Sequence, residues 1–402
     1  MMRRVPTFVL LAALAASAVA MAADKKYGPG VTDTEIKIGQ TMPYSGPASG
    51  YASVGQTEQA YYKVLNAQGG VNGRKITLIS LDDGYSPPKT VEQTRRLVES
   101  DQVLAIVGSL GTPSNTAIHK YLNGKKVPQL FISTGATKWG DPQHYPWTMG
   151  WQPNYQTEAH IFAKYVLAHV PAPKIGILYQ NDDYGKDYVK GFRDGLGADA
   201  GKLIVKETSY EISDPTVDSQ IVTLQGAGAN VFFNVSTPKF SAMAIRKAYD
   251  IGWKPLHILN SVGSSTGAAI KPAGFERAQG IISAHYQKDA TDPRWKDDKG
   301  MQDFVAFLTK NVPSVDPADS GSYNGYNIAM TFAQVLKQCG DDLTRENLMR
   351  QAANLHGLAL PMLLPGITVN TSPTNFYPVN EMQLVRFEGS GWVLFGDVVS
   401  GS

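Results

Sequence analysis

The sequence predicts an α/β fold of two lobes, each a parallel sheet flanked by helices. Three observations carry this. Short apolar runs alternate with helical stretches from Ile36 to Ser133. The alternation starts again at Lys174. After about Ile281 it gives way to consecutive helices and a closing pair of strands.

In the first series, residues 36–42, 76–81, 104–108 and 129–133 read as strands, and residues 55–68, 87–99 and 113–123 as helices. Continuous Val/Ile/Leu runs mark strands buried on both faces. Strands alternating with helices imply crossover connections and a parallel sheet. In the second series the strands are 174–180, 202–209, 231–235 and 255–260, with helices at 184–196, 217–225 and 238–251. No residue-level repeat links the two series; the similarity is architectural. Helices then follow at 300–311, 320–337 and 343–354, and strands at 382–387 and 392–395 flank Gly389-Ser-Gly391. A tail that returns to a sheet makes the chain cross between lobes more than once, which builds a hinge. The expected division is residues 27–152 plus about 285–361 for one lobe, and 153–284 plus about 362–402 for the other.

The stretch from Leu104 to Thr116 is the most informative. An apolar strand ends in Gly108-Ser-Leu-Gly111, then a helix opens with Thr112 at the N-cap and Pro113 at the first helical position. Helix N-termini offer free N–H groups and a positive dipole end to an anion. Ser133-Thr-Gly-Ala-Thr137 has the same character at the end of the next strand. Ligands of open α/β sheets bind beyond the carboxyl ends of strands. Together the two loops suggest one crevice that holds a small carboxylate through hydroxyls and backbone N–H groups. Ordinary helix capping competes with this reading for Thr112 alone.

Residues 1–22 read as a secretory signal: Arg3 and Arg4, an apolar core from Val9 to Val19, and the small-residue site Ala20-Met-Ala22. The apolar core is shorter than the roughly 20 residues of a membrane span. Periplasmic location follows. The full chain of 402 residues carries a formal charge of +2, which Arg3 and Arg4 account for. A balanced surface argues against nucleic acid as a partner. The single cysteine, Cys339, has no disulfide partner and is expected to lie buried on a helix. The seven histidines show no metal-ligand spacing, and no nucleophile elbow or phosphate-binding glycine motif occurs. No metal, no cofactor and no catalytic residue are expected. Asp82-Asp83 reads better as the start of a turn than as an acid–base pair. Tyr44, Tyr51, Trp139, Trp147, Trp151 and Tyr155 cluster near strand-end loops; as a set they favour an aromatic pocket lining.

Several segments share one likeness. Ile36-Lys-Ile-Gly-Gln40 with Ser45-Gly-Pro47, Asn66-Ala-Gln-Gly-Gly-Val-Asn-Gly73, Asp82-Asp83, Ala105-Ile-Val-Gly-Ser109 and Asn181-Asp-Asp-Tyr-Gly-Lys186 occur in a characteristic order. The chain resembles the type I periplasmic solute-binding proteins of branched-chain amino acid ABC transporters, over most of its mature length. The resemblance implies two Rossmann-like lobes joined by three crossovers, closing on a ligand like a hinge. It implies that Thr112 holds the ligand carboxylate, that Gly135, Ala136 and Thr137 form the first-lobe contact loop, and that Tyr184 closes over the ligand. Ser236 and Ser261 stand at the second-lobe contact positions, and Tyr51 and Trp151 supply aromatic lining. ABC permease subunits are the implied partners, and a monomer is expected. One departure matters. Amino-acid-binding members place an acid after the strand that is here 256–259, and Asn260-Ser-Val-Gly-Ser-Ser265 has none. Enclosing an ammonium without a counter-charge costs several kcal/mol, roughly. A carboxylate without an amine, with aromatic character, therefore fits better than an α-amino acid. Branched-chain amino acid binding, a sensory role feeding a receptor, and a secreted α/β enzyme are the alternatives.

Overall fold

The computed structural model describes residues 25–400. The expected signal segment 1–22 lies outside the described residues. Among the described residues, the first sheet contains β1 (Glu35–Met42), β2 (Lys75–Asp82), β3 (Ile106–Val107), β4 (Gln129–Ile132) and β5 (Thr148–Gly150). Their order is β2-β1-β3-β4-β5, all parallel. Helices α1 (Ala52–Ala67), α2 (Pro87–Arg95) and α3 (Thr112–Gly124) make the crossovers. The chain turns to the other side of β1 when it enters β3. The carboxyl ends of β1 and β3 therefore flank a switch point, where α/β sheets open a crevice.

The chain then enters the second lobe through α4 (Tyr155–His169). The second sheet holds β6 (Ile175–Gln180), β7 (Ile204–Tyr210), β8 (Val231–Val235), β9 (Leu256–Leu259), β10 (Ile282–His285), β11 (Glu381–Glu388) and β12 (Gly391–Ser400). The order is β12-β11-β10-β9-β8-β6-β7; β11 and β12 run antiparallel to their neighbours and the rest are parallel. Helices α5 (Asp183–Leu196), α6 (Asp218–Gly226) and α7 (Pro238–Asp250) connect β6 to β9. The switch point of this sheet lies between β6 and β8.

After β10 the chain leaves the second sheet. It forms α8 (Lys299–Asn311), α9 (Ser320–Cys339) and α10 (Arg345–Ala352), and returns to that sheet as β11. The outgoing and returning strands lie side by side: Gln287 bridges Leu363, and Leu364 donates its N–H to Tyr286 O at 3.0 Å. One apolar core runs through this junction, joining Ile38 and Leu130 of the first sheet to Ile177 and Phe233 of the second. Cys339 is buried at the end of α9, where burial pushes its thiol up to about 12. Among the described residues no helix is long and apolar enough to cross a membrane.

The sequence reading has no strand at 148–150, no helix over 155–169 and no strand at 282–285. Tyr155 does not sit in a loop; it opens α4, whose N-cap Asn154 accepts the N–H of Thr157 at 2.8 Å. Asn at that position is a helix-start signal that the aromatic clustering obscured. β10 is four residues long, and only its pairing with β9 and β11 defines it. Asp82 and Asp83 organise the turn after β2. Asp83 accepts the N–H of Tyr85 and the hydroxyl of Thr90, and Asp82 accepts from Ser45, Gly84 and Lys89.

Candidate functional site: the cleft between the lobes

The two switch points face each other across a cavity of about 90 Å³. Its first wall is the loop between β3 and α3. Gly111 is the N-cap at φ 101°, a conformation that disfavours a side chain, and a Cβ there would also press on the ring of Tyr85 at 2.8 Å. No side chain caps α3. Asn115 sends its N–H to Gly111 O at 2.9 Å, and Pro113 has none to offer. The N–H groups of Thr112 and Ser114 thus stand at the open end of the helix. Thr112 is the first helical residue, one position further on than the sequence reading placed it. Its Oγ1 lies 2.5 Å from Thr134 Oγ1, which lies 3.1 Å from the Tyr155 hydroxyl.

The second wall is built at the ends of β6 and β9. Asp182 caps α5 by accepting the N–H groups of Tyr184 at 3.0 Å and Gly185 at 3.2 Å. Gly185 is required there, because a Cβ would collide with the carbonyl of Gln180. The cap turns Tyr184 into the cleft, where its hydroxyl accepts from Asn260 Nδ2 at 2.7 Å. Burial holds this phenol well above its ordinary range, so it stays neutral.

The 260–265 loop carries no acid of its own, but one reaches it from another element. Glu158 of α4, fully buried, accepts the N–H of Ser261 at 2.6 Å, the Ser261 hydroxyl at 2.7 Å and the Tyr188 hydroxyl at 2.7 Å. Burial raises its carboxyl to about 7 against the pull of those bonds. Further acids face the cavity from the crossing strand and the head of α9. Asp289 accepts from Thr291 and from Thr266 Oγ1, and Asp319 accepts from Gly321 N and from Ser265 Oγ. Burial raises both carboxyls. Lys288 also lines the cavity, with its ammonium 2.8 Å from Asp298.

The lobes touch across the mouth of the cleft. Tyr51 donates to Val262 O at 3.4 Å and Gln180 Nε2 to the Tyr85 hydroxyl at 3.4 Å. Thr137 N–H reaches Asp187 at 2.7 Å, and Lys138 reaches Asp183 at 2.6 Å. This is a closed conformation.

Of the residues singled out in the sequence, Thr112, Tyr184, Ser261 and Tyr51 line the cavity. Gly135, Ala136, Thr137, Ser236 and Trp151 do not, each for a local reason. Gly135 abuts the carbonyl of Pro153 and the ring of Tyr155, and Ala136 and Trp151 are core residues. Thr137 is spent on the mouth, donating to Asp187 and accepting from Tyr377 at 2.5 Å. The Ser236 hydroxyl is tied to Asn234 and Ser241 below the surface. Trp139 is likewise core, while Tyr155 reaches the cavity. The sequence reading missed Tyr85, Tyr286, Asp289, Asp319 and Tyr323 as lining residues. Asp319 had a local signal, since it precedes Ser320-Gly-Ser as the N-cap of α9. The crossing strand at 285–289 had none, because its place depends on the path between lobes.

Two doubly wound lobes, crossed repeatedly by one chain and meeting over a cavity between them, define a hinged solute-binding protein. The family model described as periplasmic binding protein matches residues 35–391, and the chain belongs to this family. The Leu/Ile/Val-binding protein homolog 7 of Brucella abortus is 27% identical over 329 residues, covering 77% of this chain and 79% of the relative. Among solved structures, a branched chain amino acid ABC transporter protein from Thermus thermophilus with bound valine superposes with a TM-score of 0.83 at 15% identity, covering 92% of this chain and 97% of that one. A fatty acid ABC transporter substrate-binding protein from Thermomonospora curvata gives 0.77 at 24%, covering 94% and 95%. These likenesses place the fold as the type I periplasmic binding protein fold.

Proposed function

We propose that this chain is the extracytoplasmic solute-binding component of an ABC uptake transporter, exported by its first 22 residues, and that its ligand is a small carboxylate with an aromatic or apolar body. In this reading residues 27–152 with about 285–361, and 153–284 with about 362–402, move as two bodies and present the closed, monomeric complex to membrane permease subunits. The uncapped N-terminus of α3, opening beside the Thr112 hydroxyl, is the observation that carries the ligand class. It offers donors to an anion, while Lys288 is already paired with Asp298. Tyr51, Tyr85, Tyr184 and Tyr286 supply the aromatic surroundings. A cavity of about 90 Å³ has room for a small ligand together with ordered water. Branched-chain amino acid binding is the second reading, favoured by the buried acids Asp289 and Asp319 and by the names of the relatives.

A thermal-shift screen of benzoate, phenylacetate, leucine, isoleucine and valine separates the two. A ligand at about 100 times its Kd stabilises the native state by about 2.7 kcal/mol. The aromatic acids are expected to shift the melting temperature most; a response to the three amino acids alone would reject the carboxylate reading. Thr112→Val, which keeps shape and removes the hydroxyl, is expected to weaken the best ligand by about 1–3 kcal/mol, the range for losing a hydrogen bond to a charged group. Asp187→Ala releases Thr137 N–H and Gln156 at the mouth. It is expected to weaken the same ligand about fivefold, near 1 kcal/mol, by loosening the closed form. Unchanged calorimetric affinity in either variant removes that residue from the reading.

A further inference from the structure

We propose that Glu158 fixes the hydrogen-bond polarity of Ser261, so that the cleft selects a carboxylate that also carries a hydrogen-bond donor, the class of small hydroxy acids. This rests on the carboxylate reading above and narrows it.

An ionised carboxylate only accepts hydrogen bonds, and a serine hydroxyl has one proton. Ser261 gives that proton to Glu158 Oε2 at 2.7 Å while its N–H goes to Oε1 at 2.6 Å. Ser261 lines the cavity, so what its oxygen has left for a ligand is lone pairs. A ligand donor is satisfied there; a ligand acceptor is left unpaired and desolvated, which is the costly case. The neighbouring hydroxyls are committed in the same sense. Ser264 gives its proton to Ser261 O at 2.8 Å, Ser265 to Asp319 at 3.2 Å, and Tyr51 to Val262 O. Tyr184 accepts from Asn260 and stays able to donate. The cavity is thus polarised: donors at the head of α3, acceptor lone pairs at Ser261 and Ser264, while Ser265 Oγ already accepts the N–H groups of Ala268 and Ser320.

The polarity depends on a proton. The groups facing Glu158 are Tyr188 from α5, Tyr155 from its own helix and Tyr286 from the crossing strand; burial pushes all three phenols above their ordinary range, so they stay neutral. His285, bonded to Ser264, is pushed down to about 4 by burial and is uncharged near neutral pH. Glu158 itself is raised to about 7 by burial. Once protonated it is able to donate to Ser261 Oγ and free the serine proton for a ligand acceptor. The preference for a donor therefore strengthens as pH rises through about 7.

The test is calorimetric affinity for phenylacetate, 4-hydroxyphenylacetate and mandelate at about pH 8 and pH 5.5, on wild type, Glu158→Gln and Ser261→Ala. At the higher pH at least one hydroxylated acid is expected to bind about tenfold tighter than phenylacetate, the size of one well-made hydrogen bond. The advantage is expected to shrink at the lower pH and to vanish in both variants; if Glu158→Gln fails to fold, Ser261→Ala decides. Equal affinity of wild type for all three acids overturns this inference and leaves the carboxylate reading standing. Binding of none overturns the carboxylate reading. In that event isotope-edited infrared spectroscopy decides the bond itself: a Glu158 carboxylate band that shifts in Ser261→Ala supports the fixed polarity, and an unmoved band overturns it.

Discussion

Trp151→Ala is expected to destabilise the protein by about 3–5 kcal/mol, the range for removing a buried large aromatic side chain. The indole is fully buried and meets the ring of Phe131 edge-on, with centroids 6.0 Å apart. It sits in the core that joins the two sheets, so the void left behind lies where both lobes would have to shift to fill it. Trp151→Phe is expected to cost much less, because the indole N–H has no partner to lose. The effect belongs to stability and not to recognition. Urea and thermal midpoints are expected to fall steeply in the alanine variant, while calorimetric affinity for its best ligand, measured below the transition, changes by no more than about twofold, within roughly 0.4 kcal/mol. A variant with native midpoints and lost binding would return Trp151 to the cleft.

The second large effect is proton-linked. The folded Glu158 carboxyl, raised by burial, titrates at about 7 against an ordinary value of 4.5. Below 4.5 it is neutral in folded and unfolded chains alike, and its burial carries no charge penalty. Between 4.5 and 7 the unfolded chain releases a proton that the folded chain keeps, so stability falls as pH rises. Above 7 the full loss applies, about 3 kcal/mol for this difference in pKa. Asp83, Asp182, Asp289 and Asp319, also raised by burial, add slopes of the same sign. Asp82 acts oppositely at more acid pH: despite some desolvation, bonds from Ser45 and Lys89 hold it below its ordinary range. Glu158→Gln removes one contribution from this sum. The expected result is a wild-type-minus-variant difference in unfolding free energy that falls by about 3 kcal/mol from pH 4.5 to above 7. A difference that is flat with pH would show that Glu158 is ionised at its ordinary value.

The fold was readable because its signals are local. β8 spans the run Val231–Val235 and α7 begins at Pro238, both at the positions their patterns imply. Thr112 of the cleft was readable from a strand end that announces itself at Gly111-Thr112, Tyr51 from the aromatic set, and Tyr184 only through the family resemblance of residues 181–186. Spatial neighbours without a sequence signal were not. Glu158 lies in α4, far along the chain from Ser261, and nothing in its surroundings marks it as the acid beneath that loop. Trp139 and Trp151 misled for a related reason: an aromatic near a strand end looks the same in sequence whether it turns outward to a ligand or inward to the core.

The indole N–H of Trp392, on the last strand, donates to Ser264 O at 3.0 Å and so braces the second-lobe loop of the cleft. Residues from both ends of the described chain, Tyr51 near one and Trp392 near the other, are thus needed to complete the pocket. The loop at 261–265 is therefore steadied only when the last strand is seated on the sheet, so whatever loosens β12 also loosens that wall of the pocket.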